Sequence, residues 1–253
     1  MNTPTLETRE SVVVRFAGDS GDGMQLAGSQ LTLASVLAGN NVSTFPDFPA
    51  EIRAPAGTLA GVSGFQLQFS SSDVFTPGDE VDVLVAMNPA ALAKNIKGLR
   101  SGGMIIANSD AFTNKGLKMA GYAANPLEDD SLGAYQLFKV DLGRLVKDAL
   151  IDTDLTNKEV ERSKNYFALG LMCWLYERRI EVVEGEIRAR FKGKPRFLDA
   201  NLAVLRGGWA YGENTELFRI RYSVPAAKAG AKGTWRNVAG NEALSLGLLS
   251  ASV

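Results

Sequence analysis

The chain opens with a short β-branched run, a glycine-rich turn and an amphipathic helix pattern, in that order. The run covers residues 11–17 and the turn residues 18–23, and apolar residues at spacings of three and four predict a helix over Met24–Leu37, ended by Gly39. A buried strand that passes through a tight turn into a helix is the opening unit of an open α/β sheet. We therefore expect an α/β fold.

The rest of the sequence repeats this alternation. Strands are predicted at residues 42–45, 59–69, 81–86, 104–107 and 135–140, and helices at residues 89–100, 142–151, 158–177, 182–191 and 198–210. Gly102 and Gly103 are expected to end the helix at 89–100. These patterns predict an open, mostly parallel sheet with helices on both faces, followed by a helical C-terminal part and a linker.

Three regions of different character follow from composition. Residues 10–215 form the predicted α/β domain, and residues 216–239 are small, basic and proline-containing, which is typical of a linker. Residues 240–253 resemble the opening of a helix with too little sequence behind it to bury its apolar side. We expect this helix to begin a further domain or to pack on a partner chain.

Charge and composition exclude several classes of function. The 27 basic and 28 acidic residues leave a net charge of -1, so neither nucleic acid nor an acidic membrane is an expected partner. The chain has no histidine and one cysteine, Cys173, which we expect to be buried and inert. No catalytic residue and no metal site is predicted, so chemistry must come from a partner or an organic cofactor. With no leader and no long apolar run, the protein is expected to be cytoplasmic and not membrane-bound.

The glycine-rich turn is the main candidate binding site. Its glycines allow positive φ and close approach of a ligand, and the free N–H groups of a helix that begins near Gly23 favour an anion such as pyrophosphate. Asp19 and Asp22 would repel phosphate, so we expect them to cap the helix or to turn outward. The alternative is a tight turn with a purely structural role.

Three polar residues elsewhere are secondary candidates. Arg53 lies in an irregular segment and has a guanidinium group that can bind phosphate through two hydrogen bonds, although an exposed surface arginine is the alternative. Asn88 ends the strongest strand pattern and is either a ligand contact or a helix cap. Asn165 lies in an apolar helix pattern, where an interior amide satisfied by the protein is the alternative to a ligand contact.

Four separated segments together resemble one known family. They read RFAGDSGDGMQLAGSQL, FPDFPAEIRAPAGTLAGVSGFQL, DVLVAMNPAAL and SKNYFALG. In this order they are similar to the gamma-type domain of 2-oxoacid:ferredoxin (or flavodoxin) oxidoreductases, in the form fused to the front of the alpha subunit. The end of the chain, GNEALSLGLLSASV, resembles the first helix of the pyrimidine-binding domain that follows in that form.

The resemblance implies a function and a set of partners. Enzymes of this family convert a 2-oxoacid and coenzyme A into acyl-CoA and CO₂ with reduction of ferredoxin, and the PAEIRAPAGT segment looks most like the 2-oxoglutarate enzymes. Thiamine diphosphate, Mg²⁺ and a [4Fe-4S] cluster are then expected in the rest of the alpha subunit or in a beta subunit. The gamma-type domain is expected to help bind coenzyme A.

The same resemblance assigns the binding residues. The positions that match the turn of the family are Gly18, Ser20, Gly21, Asp22, Gly23 and Met24. Arg53 matches a basic position in a neighbouring loop, and Asn165 matches a polar position on a later helix.

Two other functions stay open. A nicotinamide- or flavin-binding enzyme would use the same phosphate site but needs an acidic residue about 20 positions after the turn, for which Asp47 is the nearest candidate. The third possibility is a domain that serves only the assembly of a complex.

Overall fold

The computed structural model describes residues 4–49, 54–228 and 238–251. Its strands are β1 (Thr5–Thr8), β2 (Ser11–Asp19), β3 (Asn41–Asp47), β4 (Val62–Ser70), β5 (Val81–Ala86), β6 (Leu99–Asn108), β7 (Gln136–Val140) and β8 (Ile220–Ser223). Its α-helices are α1 (Met24–Leu37), α2 (Pro89–Asn95), α3 (Asn114–Met119), α4 (Leu142–Ala149), α5 (Asn157–Glu161), α6 (Lys164–Leu175), α7 (Ile180–Arg190), α8 (Pro195–Asn214) and α9 (Gly240–Ser250).

Strands β2 to β7 form one sheet in the order β3-β4-β2-β5-β6-β7. Strands β2, β5, β6 and β7 are parallel, whereas β4 runs antiparallel to both of its neighbours, β2 and β3. The antiparallel part arises because the connection from β3 to β4 contains no crossover helix among the described residues. The α/β fold with a mostly parallel sheet is confirmed.

Alternate residues of β2 enter two separate cores. Val12, Val14 and Phe16 pack with α1, α4, α6, α7 and α8 on one face of the sheet. Val13 and Ala17 pack with α2 and α3 on the other face. Both faces are therefore covered by helices, and the near-continuous apolar sequence of the central strands follows from burial on both sides.

The predicted helix at residues 89–100 is shorter than expected. Helix α2 ends at Asn95, residues 96–98 form a single 3₁₀ turn, and β6 already begins at Leu99, which pairs with Val81 of β5. Gly102 and Gly103 lie inside β6, next to an irregularity in its pairing, and Gly102 has a φ of 72°. The two glycines therefore accommodate a bulge in a strand and do not end a helix.

Two further boundaries differ from the prediction. The helix expected over residues 158–177 is divided into α5 and α6, with Ser163 at the break, where its hydroxyl bonds to the carbonyl of Glu159 at 3.4 Å instead of facing solvent. The strand expected over residues 59–69 begins with a 3₁₀ turn at Leu59–Gly61, and β4 follows it.

The first part of the predicted linker is ordered into a strand. Strand β8 pairs in parallel with β1, and the chain then runs past the end of α1, where the N–H of Ala227 donates to the carbonyl of Gly39 at 2.8 Å. Residues 229–237 lie outside the described part of the chain. The expected terminal helix is present as α9, and it has no buried residue.

Candidate functional site

The candidate site lies at the carboxyl edge of the parallel strands. Strand β2 leads through the glycine-rich turn into α1 on one face of the sheet, whereas its parallel neighbour β5 leads into α2 on the other face. Two adjacent strands whose helices diverge leave a crevice between them, and this switch point is where open α/β sheets bind ligands. The glycine-rich turn lies at this switch point.

The turn leaves the start of α1 open. Gly23 has a φ of 74° and is the N-cap of α1, and no side chain caps it. Ser20 and Gly21 are exposed, and a Cβ atom added at Gly21 would meet no other atom within 4 Å. The first N–H groups of a helix have no partner within the helix, so this end of α1 offers uncapped donors and a positive dipole end to an anion.

Both aspartates of the turn are bound to the protein backbone. The carboxylate of Asp19 accepts hydrogen bonds from the N–H of Gly57, at 3.0 Å to each oxygen. The carboxyl group of Asp22 turns back and accepts the N–H of Asp19 at 2.7 Å. Neither group caps α1, and neither turns outward, because each accepts a backbone N–H of the protein instead.

The pKa of Asp22 is unusual for an aspartate. Burial raises it from 3.8 to about 6, and the charges of Asp19 and Glu161 add to this effect. The hydrogen bond from the Asp19 N–H and the charge of Lys164 act in the opposite direction. The turn therefore carries less negative charge in mildly acidic solution than its sequence indicates.

Asn165 lies directly against the turn. A Cβ atom at Gly23 would lie 2.5 Å from Nδ2 of Asn165, so the absence of a side chain at Gly23 is what lets α6 approach. Asn165 is 3% exposed, and its Oδ1 atom has no hydrogen-bond partner among the described residues. A buried amide oxygen without a partner is uncommon, and at this place it leaves an acceptor free for a ligand or water.

The other predicted residues are placed less favourably for binding. The side chain of Met24 is 1% exposed and belongs to the core, so only its backbone N–H remains available. The side chain of Asn88 caps α2 by accepting the N–H of Ala91 at 2.8 Å, which is the helix-cap alternative to a ligand contact. Arg53 lies outside the described residues.

Sequence reasoning missed two polar residues at this edge. Asn108, at the end of β6, donates to the carbonyl of Met87 at 3.1 Å, and its Oδ1 is buried without a partner. Lys164 forms ion pairs with Glu161 at 2.6 Å and with Asp110 at 3.4 Å, and its charge acts on Asp22. Asn108 belongs to no motif, and Lys164 lies in the SKNYFALG segment but was not singled out, because the strand end and the helix start meet only in the folded chain.

The described residues provide no ligand set for a metal or a cluster. They contain no group of three or more histidine, cysteine, aspartate or glutamate side chains that could hold a metal ion. Cys173 is buried, and burial raises its pKa to about 12, so it is neither a nucleophile nor a ligand. A [4Fe-4S] cluster bound by cysteines therefore does not fit these residues.

Asp47 is not free to bind a ribose. Its carboxylate forms ion pairs with Arg15 at 2.7 Å and with Lys94 at 3.6 Å. Dinucleotide-binding sites need this acidic group to accept the ribose hydroxyls. The arrangement argues against a nicotinamide site of that type.

The fold and the site together define an α/β domain with an open helix N-terminus at the switch point of its sheet. The sequence model of the pyruvate ferredoxin/flavodoxin oxidoreductase family matches residues 13–211. The chain belongs to this family.

No described helix is long and apolar enough to cross a membrane.

A curated relative is similar over almost the whole chain. The 2-oxoglutarate oxidoreductase subunit KorA of Mycobacterium tuberculosis is 48% identical over 248 residues, which are 98% of this chain and 38% of that protein. The present chain thus spans well under half the length of this relative.

Solved structures share the fold. The 2-oxoglutarate:ferredoxin oxidoreductase of Magnetococcus marinus, with 2-oxoglutarate, coenzyme A and succinyl-CoA bound, matches with a TM-score of 0.67 at 23% identity, over 87% of this chain and 34% of that chain. The gamma subunit of a keto/oxoacid ferredoxin oxidoreductase from Geobacter sulfurreducens matches with a TM-score of 0.56 at 20% identity, over 81% and 97% of the two chains. The same architecture therefore occurs both within a longer chain and as a separate subunit.

Proposed function

We propose that this chain is the coenzyme-A-binding, gamma-type part of a 2-oxoglutarate:ferredoxin oxidoreductase. The complete enzyme converts 2-oxoglutarate and coenzyme A into succinyl-CoA and CO₂ and transfers the released electrons to ferredoxin. The observation that carries the proposal is the uncapped start of α1 at the switch point, where Asp19 and Asp22 are both bound to backbone N–H groups. This arrangement suits the pyrophosphate of coenzyme A.

The relatives support the choice of substrates. The 48% identity to a 2-oxoglutarate oxidoreductase subunit favours 2-oxoglutarate as the oxidised acid. The related fold from Magnetococcus marinus was solved with coenzyme A and succinyl-CoA, which favours an acyl-CoA product. Cys173 is buried and the described residues hold no metal-ligand cluster, so we assign thiamine diphosphate, Mg²⁺ and the iron-sulfur cluster to the rest of the alpha subunit or to a beta subunit.

Each residue of the turn has a defined part in this proposal. Gly18 leaves room for the Asp22 carboxyl group, because a Cβ atom there would lie 2.7 Å from Asp22 Oδ2. Ser20, Gly21 and Gly23 expose their backbone to the phosphates. The free Oδ1 of Asn165 accepts a donor of the ligand or of a bound water.

Substitution of Gly21 by valine tests the binding claim. Gly21 is exposed, has no positive φ and has empty space around it, so Gly21→Val should fold normally but should place a branched side chain where the phosphates approach. Calorimetric titration of the assembled enzyme with coenzyme A should then show affinity reduced at least about tenfold, a loss of about 1.4 kcal/mol. Arg53→Ala, titrated in the same way, tests the remaining predicted phosphate contact.

Gly98→Val is the matched control. Gly98 is also an exposed glycine with no atom within 4 Å of an added Cβ and no positive φ, but it lies before β6 at the opposite edge of the sheet. Its affinity for coenzyme A should equal that of the wild type. If Gly21→Val also binds coenzyme A with wild-type affinity, the turn is not part of the binding site.

A further inference from the structure

A groove runs between α1 and α7 on the same face of the sheet as the start of α1. Its volume is about 490 Å³, which lies within the range of small-molecule sites. Helix α1 contributes Leu26, Ser29, Gln30 and Leu33, and helix α7 contributes Glu186, Ala189 and Arg190. The groove thus combines apolar walls with a few polar groups, as ligand sites do.

One of these polar groups is buried without a partner. Gln30 is 6% exposed, and its Oε1 atom has no hydrogen bond among the described residues. Nearby, the hydroxyl of Tyr166 is also buried and unpaired, and burial raises its pKa while the charge of Arg190 opposes that rise. Leaving a buried polar group unpaired costs about 1–3 kcal/mol, so a hydrogen-bond donor bound in the groove would stabilise the Gln30 side chain.

Arg190 is the positive charge of the groove. It is exposed, and no described carboxylate lies within ion-pair distance of it. Arg188, on the same helical turn, is by contrast paired with Glu184 at 3.7 Å. Glu186 lines the groove one helical turn before Arg190. Because its carboxylate repels anions, the anionic group of a ligand is expected at the Arg190 end of the groove.

The groove begins close to the glycine-rich turn. Leu26 lies three residues after Gly23, which is less than one turn of α1 and about 5 Å along its axis. A ligand whose pyrophosphate lies at the start of α1 can therefore extend into the groove without crossing the sheet. In coenzyme A, the adenosine and its 3′-phosphate are joined directly to that pyrophosphate.

We propose that the groove between α1 and α7 binds the 3′-phosphoadenosine end of coenzyme A. This inference rests on the proposed function. Leu26 and Leu33 contact the adenine ring, Gln30 Oε1 accepts a hydrogen bond from its amino group, and Arg190 pairs with the 3′-phosphate. The pantetheine arm then leaves the pyrophosphate in the other direction, along the carboxyl edge of the sheet, and its thiol points away from α7.

Comparing coenzyme A with 3′-dephospho-coenzyme A tests this assignment. The two ligands differ only in the phosphate assigned to Arg190. The assembled wild-type enzyme should bind coenzyme A about tenfold more tightly, and Arg190→Gln should abolish this preference by weakening coenzyme A binding alone. Arg188→Gln is the matched control and should retain the preference, because Arg188 lies outside the groove lining and is paired with Glu184.

A second variant tests the apolar part of the groove. Ser29 is exposed and lines the groove, so Ser29→Trp should fold and fill the adenine position. It should weaken binding of both ligands by at least about tenfold. Normal binding in Ser29→Trp, or equal loss of both ligands in Arg190→Gln, would overturn the assignment.

The two proposals fail in different ways. If Gly21→Val weakens coenzyme A binding but the Arg190→Gln and Ser29→Trp variants bind like the wild type, the turn binds the ligand and the groove does not. If the assembled wild-type enzyme binds neither ligand, the proposed function itself is wrong.

Discussion

At the scale of single residues, Asp22 is the most unusual side chain of the candidate site. Its carboxyl group lies against Gly18 and accepts the N–H of Asp19, in a position that keeps it partly buried beside the start of α1. Burial raises its pKa to about 6. The groups that face it are Asp19 in the turn and Glu161 and Lys164 from α5 and α6. The protonation of one carboxyl group therefore affects both stability and the charge at the turn.

Substitution of Asp22 by asparagine should change how stability depends on pH. Between about pH 4 and pH 6 the folded chain holds a proton on Asp22 that the unfolded chain has released, so the free energy of unfolding falls as pH rises through this window. The amide of the Asp22→Asn variant retains an acceptor oxygen and cannot ionise. The variant should therefore match the wild type near pH 4 and exceed it by up to about 3 kcal/mol near pH 7.

Denaturant unfolding of both proteins across this pH range provides the measurement. The pH 4 comparison is the internal control, because both side chains are neutral there in the folded state. A difference in stability that is the same at every pH would mean that Asp22 does not titrate near pH 6 in the folded protein.

At the scale of elements, helices α6 and α8 approach each other with direct backbone contact. A Cβ atom at Gly170 would collide with the carbonyl oxygen of Leu205, and one at Gly208 would collide with the carbonyl oxygen of Phe167. The two backbones therefore touch where both helices have a glycine. This contact fixes α6, and α6 carries Asn165 and Lys164 to the candidate site.

Substitution of Gly208 by alanine should separate these helices. The new Cβ atom would collide with backbone atoms of α6, so no side-chain rotation can relieve the collision. We therefore expect a loss of about 1–3 kcal/mol in the free energy of unfolding. Gly207→Ala is the control: its Cβ would meet only ordinary contacts at 3.7 Å, so the higher helix propensity of alanine should leave stability equal or raise it by up to about 1 kcal/mol. Equal thermal denaturation midpoints for the two variants would contradict the predicted close contact.

At the scale of the whole molecule, the candidate site lies at one edge of the sheet. The first and last strands of the α/β domain, β1 and β8, lie at the opposite edge. Strands β1 and β8 pair beside the start of β2, and the segment after β8 is bound to Gly39 and Asn40 at the end of α1. The glycine-rich turn lies at the other end of β2.

The isolated chain should not oxidise 2-oxoacids. The proposed function assigns the redox groups to the remaining parts of the enzyme, because the described residues offer no metal-ligand cluster and their cysteine is buried. Reduction of methyl viologen with 2-oxoglutarate and coenzyme A should appear only after addition of the remaining parts of the enzyme. Iron-sulfur absorbance or activity in the purified chain alone would show that this assignment of the cofactors is wrong.

The sequence alone determined strands β2 and β5, the first helix and the turn between β2 and that helix. Strand β2 and helix α1 are local structures whose apolar spacing and glycines are read from neighbouring residues, and Met24–Leu37 was predicted with both of its ends. Strand β5 was predicted for the same reason. Contacts between distant residues are not encoded in such local patterns.

The tertiary structure decided everything that depends on distant segments. It paired the polar strands β1 and β8, which are separated by more than 200 residues. It began β6 at Leu99 because β5 was available as a partner, and it brought Asn165 against Gly23 and Arg190 beside α1. Hydrophobic periodicity reports which face of an element is buried, but only packing determines which other element covers it.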